Sequence, residues 1–429
     1  MNFTKPRPGY KIVKSLFGKY EEMPEDWDVK QVIELGELVT GSTPSTFITE
    51  YYGDEFLWAT PPDLKPIKYI TTTQKKLSKK GFEQIRKIPP NSVLVTCIGT
   101  VGITGLSIKE MGTNQQINSI ICNKDNPEFV YYQLSLNQEK LKNIANQAVI
   151  PILNKTDFGT VKIILPKNKE EQRKIASILS NVDSLINQTQ KEIEQTQRLK
   201  KGLMQKLLTK GIGHTKFKKV KWLFEKEIEI PESWNIQKGK DVCKEIIVGI
   251  VIKPASLYAD NGVPCLRSFN IKEDRINEKN IVLISEQANE DNSKSKLNAG
   301  DVLIVRTGYP GTACVVPQKF VGGNCVDLII ARPKQNLDSY FLSKFLNSTK
   351  AKNQILRMQG GLAQQHFNVG EMKNLLVIIP PLREQQEIVA ILSNVDFQIK
   401  NRQECKSQFE NLKKGLMQKL LTGQIRAKV

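Results

Sequence analysis

The sequence Ile178-Leu179-Ser180-Asn181-Val182-Asp183 occurs a second time as Ile391-Leu392-Ser393-Asn394-Val395-Asp396. A longer segment is also repeated. Its first copy is Gly202-Leu203-Met204-Gln205-Lys206-Leu207-Leu208-Thr209, and its second copy is Gly415-Leu416-Met417-Gln418-Lys419-Leu420-Leu421-Thr422. Both pairs share one offset (391 − 178 = 213 and 415 − 202 = 213). Repetition at a fixed period predicts copies of one structural unit, and it is the first pattern to settle when a fold is inferred. We therefore expect the chain to consist of two related halves.

The segment that precedes each half is repeated as well. Met23-Pro24-Glu25-Asp26-Trp27 corresponds to Ile230-Pro231-Glu232-Ser233-Trp234. Each half then continues with β-branched runs bounded by turn formers, such as Val93–Gly99 in the first half and Asp301–Gly308 in the second, which are typical of buried strands. The pattern predicts a mixed α/β body in each half. Strands follow one order in both bodies, whereas the loop residues differ, as expected for one scaffold that recognises two different targets.

Each repeated phrase lies in about 40 residues that predict one long helix. Apolar residues recur there at helical spacing: Ile175, Ile178, Val182, Leu185, Ile193, Leu199, Leu203 and Leu207 in the first copy, and Ile388, Ile391, Val395, Phe409, Leu412, Leu416 and Leu420 in the second. A helix of this length spans about 60 Å, and its apolar stripe has to be buried. The favoured partner is the other helix, in an antiparallel pair. In the alternative arrangement, each helix packs separately on its own body.

These observations predict an α+β protein with two mixed α/β domains separated by a pair of long antiparallel coiled-coil helices, with an internal pseudo-twofold repeat. The predicted boundaries follow the repeat. They are a lead-in at 1–23, body 1 at 24–167, a first helix at 168–210, a linker and second lead-in at 211–230, body 2 at 231–381, and a second helix with a tail at 382–429.

Charge favours a polyanionic partner. The chain has 63 Lys and Arg against 44 Asp and Glu, a net charge of +19, which points to nucleic acid first and to an anionic membrane second. Basic residues concentrate at matched places, from Arg198 to Lys221 and again after Glu410, although a run of charge is more often a solvated face. There is no apolar signal segment at the N-terminus and no run long enough to span a membrane. Seven cysteines without a Cys-x-x-Cys pair suggest reduced thiols and a cytoplasmic protein.

Motifs of catalysis are missing from the sequence. It contains no phosphate-binding Gly-x-x-x-x-Gly-Lys-[Ser/Thr] loop, no His-Glu-x-x-His and no Gly-x-Ser-x-Gly. Only two histidines are present, His214 and His366, and their spacing suits no metal site. We expect a binding protein that has neither a catalytic residue nor a metal or cofactor of its own.

The residues at the helix starts carry a resemblance to a known family. Pro380-Pro381-Leu382 is followed by Glu384-Gln385 and Ile388, and a weaker copy has Pro166 followed by Glu171-Gln172 and Ile175. Together with the two repeated phrases, these motifs resemble the specificity subunit of Type I restriction–modification enzymes over nearly the whole chain.

The resemblance implies a division of labour. Bodies 1 and 2 would be target-recognition domains that each read one half of a split sequence in double-stranded DNA, and the helices would hold them at a fixed spacing. At about 60 Å, that spacing corresponds to about 18 base pairs. Two methyltransferase (modification) subunits would dock on the helices, and two restriction (motor-nuclease) subunits would join for cleavage. S-adenosylmethionine, ATP and Mg would belong to those partners. Exposed helix faces are the expected docking sites: Leu203, Met204, Leu207, Leu416, Met417 and Leu420.

Base edges are read by polar side chains on loops. In body 1 the predicted DNA contacts are Thr43, Ser45, Thr46, Lys65, Thr72, Lys75, Lys76, Gln115 and Gln116. In body 2 they are Lys253, Arg267, Ser268, Asn270, Arg306, Tyr309, Gln364 and Gln365. Tyr51, Tyr52 and Trp58 could stack on a displaced base, but core packing is the favoured role for them.

Two other functions fit the same features. The chain could be the recognition subunit of a different bipartite restriction system, in which one partner chain carries both methylation and cleavage. It could instead be a coiled-coil scaffold that joins two β-rich domains and never binds DNA. Retention on DNA at low salt, with a steep loss as salt rises, separates the DNA-binding functions from the scaffold.

Overall fold

The computed structural model describes residues 6–14, 20–64, 68–145, 150–222, 227–251, 254–358 and 366–427. The chain forms two compact units, unit 1 with residues 1–190 and 404–429, and unit 2 with residues 191–403. Each unit therefore holds one body together with part of both long helices. The boundary between the units falls inside the helices, whereas the sequence placed the helices apart from the bodies.

Unit 1 consists of body 1, an N-terminal hairpin and the adjoining helix segments. Its strands are β1 (Tyr10–Lys14), β2 (Tyr20–Pro24), β3 (Trp27–Gln31), β4 (Gly36–Thr40), β5 (Tyr52–Gly53), β6 (Phe56–Ala59), β7 (Tyr69–Ile70), β8 (Lys75–Leu77), β9 (Lys87–Ile88), β10 (Val93–Thr96), β11 (Thr104–Ser107), β12 (Met111–Thr113), β13 (Ile117–Cys122) and β14 (Lys162–Pro166). Its helices are α1 (Lys79–Phe82), α2 (Pro127–Leu136), α3 (Gln138–Ile144), α4 (Lys155–Thr160) and the first part of α5 (Lys169–Lys210).

Unit 2 has the same plan. Its strands are β15 (Phe217–Lys221), β16 (Glu227–Pro231), β17 (Asn235–Lys238), β18 (Cys243–Val248), β19 (Tyr258–Ala259), β20 (Val263–Leu266), β21 (Ile271–Lys272), β22 (Arg275–Ile276), β23 (Val282–Ile284), β24 (Val302–Val305), β25 (Ala313–Val315), β26 (Asn324–Cys325), β27 (Leu328–Pro333) and β28 (Leu376–Ile379). Its helices are α6 (Gly239–Val242), α7 (Glu286–Asp291), α8 (Ser339–Leu346), α9 (Thr349–Met358), α10 (Val369–Asn374) and the first part of α11 (Leu382–Leu420).

Each body contains two larger sheets, in addition to two-stranded ladders such as β3–β14 in body 1 and β17–β28 in body 2. Body 1 has one sheet in the order β4-β13-β10-β11-β7 and another in the order β5-β8-β6-β12-β9, and the sheets of body 2 run β18-β27-β24-β25 and β19-β23-β20-β26. The central strands β10 and β24 are buried along their whole length, which is why both read as continuous apolar runs in the sequence. Two consecutive helices follow β13 and β27, namely α2 and α3 in body 1, and α8 and α9 in body 2.

The Glu-Gln motif at each helix start joins the helix to its body through the glutamine. The amide nitrogen of Gln172 donates to the Pro166 carbonyl at 2.8 Å, and its oxygen accepts from the Asn126 backbone N–H at 2.9 Å. Asn126 in turn caps helix α2. Gln385 does the same in unit 2, donating to Pro380 at 2.9 Å and accepting from the α8 cap residue Asp338 at 2.8 Å. Since both glutamines are fully buried, these hydrogen bonds fix the body helix against the long helix.

The glutamate of the same motif holds a tryptophan and the segment that follows the other helix copy. Glu171 accepts from Trp27 Nε1 at 3.3 Å and from Arg426 Nε at 2.7 Å. Glu384 accepts from Trp234 Nε1 at 2.8 Å and lies 2.8 Å from His214 Nε2. The Trp in each repeated lead-in is therefore a core residue whose indole N–H donates to a carboxylate.

Helices α5 and α11 pair antiparallel within each unit. In unit 2, Lys200 pairs with Asp396 at 2.6 Å and Glu192 with Arg402 at 3.4 Å, so the residue numbers run in opposite directions. Many stripe residues are buried, including Ile175 and Val182, but Leu185, Leu199, Ile391 and Leu412 are exposed. The same helices also pack into the cores of their own bodies. Both arrangements considered from the sequence therefore occur together.

A glycine with a left-handed backbone follows each long helix. Gly211 has φ +67° and Gly423 has φ +72°. A Cβ at Gly423 would lie 2.5 Å from Pro24, and one at Gly211 would lie 2.4 Å from a carboxylate oxygen of Glu384. Glycine is therefore required at both places, for backbone conformation and for space.

Candidate nucleic-acid interface

One edge of each body gathers the loops that follow equivalent strands. After the central strands, Gly99 and Gly102 in body 1 and Gly308 and Gly311 in body 2 all have positive φ. The turn closes in the same way in both bodies, with Gly102 N–H on the Thr96 carbonyl at 2.8 Å and Gly311 N–H on the Val305 carbonyl at 2.9 Å. Loops held at a sheet edge by a rigid scaffold are where binding residues concentrate.

In body 1 the structure joins two of the loops named from the sequence. Thr43, in the loop after β4, donates a hydrogen bond to the side-chain oxygen of Gln115 in the β12–β13 turn. Gln116 is held by Asn114, whose amide donates to the Gln116 side chain at 2.8 Å. Thr43 and Gln115 are exposed and Gln116 is half-buried. Their amide and hydroxyl groups can donate and accept, which is what adenine edges and phosphate oxygens require.

The other predicted residues of body 1 are spread more widely. Ser45 and Thr46 are exposed in the same loop as Thr43. Thr72 lies between β7 and β8, whereas Lys75 and Lys76 lie in β8, in the sheet that contains β12. Lys75 faces Trp58 across β8 and β6, and Trp58 donates to the Ser42 carbonyl at 3.0 Å. Trp58 is buried, so its favoured role as a core residue agrees with the structure. Lys65 lies outside the described residues.

Two further residues of this edge were not among the DNA contacts predicted from the sequence. Phe47 has 95% of its surface exposed, beside Ser45 and Thr46. Arg86 bonds the same loop through its backbone N–H to Ser42 Oγ at 2.9 Å and through its guanidinium to the Thr40 carbonyl at 2.7 Å. The signal for Phe47 was its place in a run of Ser, Thr and Pro, where an aromatic side chain has no strand or helix to bury it.

Arg306 is the centre of the equivalent edge in body 2. Its guanidinium reaches Asp327 Oδ1 at 2.6 Å and Asn368 Oδ1 at 2.9 Å. Its Nε is buried and has no hydrogen-bond partner among the described residues. Asp327 also accepts from the Thr307 hydroxyl at 3.3 Å. The carboxylate thus fixes a planar donor group at the edge, in the geometry that guanine and phosphate recognition use.

His366 contributes to this edge through Thr307. Its Nδ1 lies 3.0 Å from Thr307 Oγ1, and the two residues form an isolated β-bridge. The contact ties the segment before α10 to the loop after β24. His366 therefore makes a structural contact within body 2.

A second arginine borders a small cavity in body 2. Arg267 donates from Nη2 to the Asn280 carbonyl at 2.8 Å, and its Nε is likewise buried without a partner in the described part of the chain. This cavity has a volume of about 450 Å³, and its lining includes Arg267, Ser268, Phe269 and Asp327. Phe269 is half exposed and was not foreseen.

The prediction that Asn270 contacts DNA is wrong. Asn270 is fully buried, and its amide donates to the Asn277 and Lys279 carbonyls at 2.9 and 3.1 Å. Its oxygen accepts from the Arg267 backbone N–H at 3.1 Å. All the polar atoms of this side chain serve the loop itself, so Asn270 shapes the segment that presents Arg267 and Ser268.

Tyr309 is the most exposed aromatic residue of this edge among the described residues, with 83% of its surface accessible. It lies in the turn between Gly308 and Gly311. Exposure of a large aromatic ring on the loop that also carries Arg306 suits contact with sugar or base faces. Lys253, Gln364 and Gln365, also predicted as DNA contacts, lie outside the described residues.

The six residues proposed as exposed docking faces are largely covered. Leu207 and Leu420 are buried, Met417 is nearly so, and Leu203, Met204 and Leu416 are half-buried. The three residues of α5 pack into the core of unit 2, and the three residues of α11 pack into the core of unit 1. The expectation of exposure is wrong because each helix end packs on a body as well as on the other helix. Within the described parts of α5 and α11, the exposed large apolar residues are instead Leu185, Leu199, Leu382, Ile391, Phe397 and Leu412.

Several lysines of the basic runs already have acidic partners. Lys200 pairs with Asp396, Lys210 with Glu229 at 2.9 Å, and Lys413 with Asp183 at 2.6 Å. Others, such as Lys201 and Lys206, are exposed and available to phosphates. The runs therefore mix structural pairs with a solvated face.

Other kinds of site find little support in the described part of the chain. No group of three or more His, Cys, Asp or Glu residues there could hold a metal ion. None of its helices is long and apolar enough to cross a membrane. The seven cysteines are unpaired, and burial raises the pKa of the Cys97 thiol to about 12, which makes it a poor nucleophile.

Comparison with known proteins identifies the two halves as copies of one domain. The family model described as "Type I restriction modification DNA specificity domain" matches residues 24–195 and 231–411. The MjaIX specificity subunit of a Type I restriction enzyme from Methanocaldococcus jannaschii is 27% identical over 94% of this chain and 95% of its own length. The HindI specificity subunit from Haemophilus influenzae is 35% identical over 40% of each chain.

Solved structures share the fold at low sequence identity. The S subunit of a Type I restriction–modification system from M. genitalium aligns over 94% of this chain and 96% of its own, with a TM-score of 0.56 and 15% identity. A chain from work on complex assembly and conformational transition of the type I R-M system covers 94% of this chain and 99% of its own, with a TM-score of 0.59 and 17% identity. Because the two matched segments make up well over half of the sequence, this chain belongs to the family of Type I restriction modification DNA specificity proteins.

Proposed function

We propose that this chain is the DNA-specificity subunit of a Type I restriction–modification complex, in which each body reads one half of a split target. The observation that carries the proposal is that both bodies have an equivalent edge formed by loops at strand ends. Two bodies of one family present equivalent strand-end loops, but Thr43 and Gln115 occupy that edge in body 1 and Arg306 and Asp327 in body 2. One scaffold with different polar groups suits two different half-sites.

The two edges offer different chemistry to DNA. Body 1 presents neutral amides and hydroxyls, which pair with adenine edges and with backbone oxygens. Body 2 presents two arginines held by acceptors of the protein, and arginine in that state favours guanine or phosphate. The excess of positive charge supplies affinity that does not depend on sequence and that falls as salt rises.

Partner chains would supply the chemistry. We expect two modification subunits to dock on helices α5 and α11, and two restriction subunits to join for cleavage. S-adenosylmethionine, ATP and Mg would bind to those chains, and the complex would act on DNA in the cytoplasm. The exposed apolar residues Leu185, Leu199, Ile391, Phe397 and Leu412 support docking on the helices, since apolar side chains left in water on a helix are suited to a partner.

The test is reconstitution with the cognate modification subunit. The complex should methylate DNA at a bipartite motif with a spacer of fixed length, and it should bind DNA carrying that motif with an affinity that falls steeply with salt. Methylation by the modification subunit alone should not select this motif. A complex that forms but binds every DNA sequence equally would contradict the proposal, and methyl transfer by the purified chain alone would assign it a catalytic role.

A further inference from the structure

Each unit has a partly buried ion pair between the two long helices, at positions that belong to the repeat. In unit 1, Asp183 of α5 pairs with Lys413 of α11 at 2.6 Å. In unit 2, Asp396 of α11 pairs with Lys200 of α5 at 2.6 Å. Both pairs obey the repeat (396 − 183 = 213 and 413 − 200 = 213). The Asp that ends the first phrase and the Lys that precedes the second are thus partners across the helix pair.

The second carboxylate oxygen of each Asp is bound by a body. Tyr132 of α2 donates its hydroxyl to Asp183 Oδ2 at 2.5 Å, and Lys344 of α8 donates to Asp396 Oδ2 at 2.9 Å. Tyr132 and Lys344 both lie six residues after the cap residue of their helix, Asn126 or Asp338. They are therefore equivalent positions that carry different chemistry, a neutral hydroxyl in body 1 and a cation in body 2.

In each unit a loop of the body adds one more charged side chain to this group. The loop residue is a cation in unit 1 and an anion in unit 2. In unit 1 the loop residue is Lys68, whose Nζ lies 3.1 Å from the Tyr132 hydroxyl, 3.1 Å from Glu128 and 3.0 Å from Ser180 Oγ. We define polar cluster 1 as Lys68, Glu128, Tyr132, Asp183 and Lys413.

In unit 2 the loop residue is an acid. Asp274 lies 3.5 Å from Lys344 and accepts hydrogen bonds from Ser343 at 2.9 Å and Asn347 at 3.0 Å. We define polar cluster 2 as Lys200, Asp274, Lys344 and Asp396. Each cluster joins two cations to two carboxylates, but the loop contributes the cation in cluster 1 and the anion in cluster 2.

The balance of charge in each cluster is important because some of the charged side chains are buried. The side chains of Lys68 and Lys344 are only 6% and 4% exposed, so neither charge can be left without a partner at low cost. Burial would raise the pKa of Asp396, but Lys200 and Lys344 outweigh that effect and hold it below its ordinary value. Apolar packing has no preferred direction, whereas hydrogen bonds to both oxygens of one carboxylate define an orientation.

We propose that clusters 1 and 2 determine how each body is oriented on the helix pair. The Asp–Lys pair of the helices is the same in both units, whereas the residues from the body differ and are matched to that pair in charge. The members of both clusters are positioning residues, which fix the orientation of each body on the helix pair and thereby the spacing at which its half-site is read. This inference rests on the proposed function. It predicts that a body can be exchanged between relatives without changing the spacer only when its residues complement the Asp–Lys pair.

The test removes the body residues of cluster 2 while keeping its charge balanced. The double variant Lys344→Met/Asp274→Asn is compared with Lys344→Arg, which retains the charge and a donor, and with Lys352→Met, which breaks an ion pair of the same body outside the cluster. Each full-length chain is assembled with its modification subunit, and methylation is measured on DNA with the natural spacer and with spacers one base pair shorter or longer.

A positioning role predicts that the double variant raises the ratio of off-spacer to natural-spacer methylation by about tenfold, since a hydrogen bond to a charged group is worth that factor or more. Lys344→Arg should restore most of the discrimination, and Lys352→Met should not alter it. A ratio that stays constant, whether total methylation falls or not, overturns the proposal. If the double variant does not assemble, the near-isosteric Tyr132→Phe applies the same criterion to cluster 1. Failure of the unaltered chain to direct any bipartite methylation would count against the proposed function instead.

Discussion

The substitution Arg426→Met tests how the C-terminal tail holds unit 1 together. The guanidinium makes two hydrogen bonds to Glu171, at 2.7 and 2.8 Å, and two to Asp26, at 2.9 and 2.6 Å. The Glu171 side chain is only 3% exposed, so the substitution leaves a buried carboxylate whose remaining donor, among the described residues, is Trp27 Nε1.

The expected loss follows from burial. Removing one partner of a buried pair costs about 3–5 kcal/mol, but the Arg426 side chain is 36% exposed, so water can enter the vacated space and reduce the penalty. The Asp26 pair is exposed and adds about 0–1 kcal/mol at most. We therefore expect the local opening of unit 1 to become easier by about 2 kcal/mol, which is about a 30-fold change in the opening equilibrium.

Hydrogen exchange of the full chain in complex with its modification subunit measures this change. Amides of the β3–β14 ladder, next to Trp27, should exchange faster in Arg426→Met, whereas the equivalent β17–β28 ladder of unit 2 should be unaffected. Arg173→Met is the control, since the pair that Arg173 makes with Glu170 on the same helix is exposed. Equal acceleration of both ladders, or no acceleration of β3–β14, would refute the reasoning.

Three further outcomes can be checked on the same complex. Arg306→Gln should weaken binding to the target by about 1–3 kcal/mol and relax specificity in one half-site, measured by fluorescence anisotropy on DNA with single-base changes; equal weakening on all sequences would leave Arg306 a phosphate contact only. Phe47→Ala should change the free energy of unfolding by less than about 0.5 kcal/mol because the ring is exposed, yet weaken DNA binding by about 1–3 kcal/mol if the ring stacks on the target; unchanged binding would place Phe47 outside the interface. Burial would raise the pKa of Asp125, but hydrogen bonds from Lys169, Gln172 and Lys30 outweigh it and lower the pKa. The ionised Asp125 carboxylate therefore stabilises the fold at pH values above its ordinary pKa of 3.8, and this contribution is lost as the pH falls from 3.8 through the lower pKa of the folded state. Asp125→Asn should therefore flatten the acid limb of a plot of stability against pH.

Periodicity predicted the large features of the fold because it reports burial directly. The phrase ending in Asp183 and its copy ending in Asp396 do lie on two long helices that pair antiparallel. The first helix begins at Lys169, one residue from the predicted position, because the buried Gln172 bonds back to Pro166 and fixes the start. A strand such as β24 was recognisable since it is buried on both faces.

The sequence was less informative where one residue type can serve two purposes. Leu207 and Leu420 were expected to face a partner, but an apolar stripe does not say which surface covers it, and here the bodies do. Asn270 was expected to read a base, but a loop asparagine can equally satisfy its own backbone. Phe47 was missed because aromatic residues are usually buried. Loop geometry decides these cases, and periodic patterns do not reach it.

The claim that each body reads one half of the target is tested most directly by mapping methylated sites in host DNA with a variant altered in body 1 alone. Thr43→Ala/Gln115→Ala removes the pair that joins two loops at the body 1 edge. We expect bases in one half of the bipartite motif to become degenerate, while the other half and the spacer length stay as they are for the unaltered chain. Degeneracy in both halves, or a motif that does not divide into two halves, would contradict it.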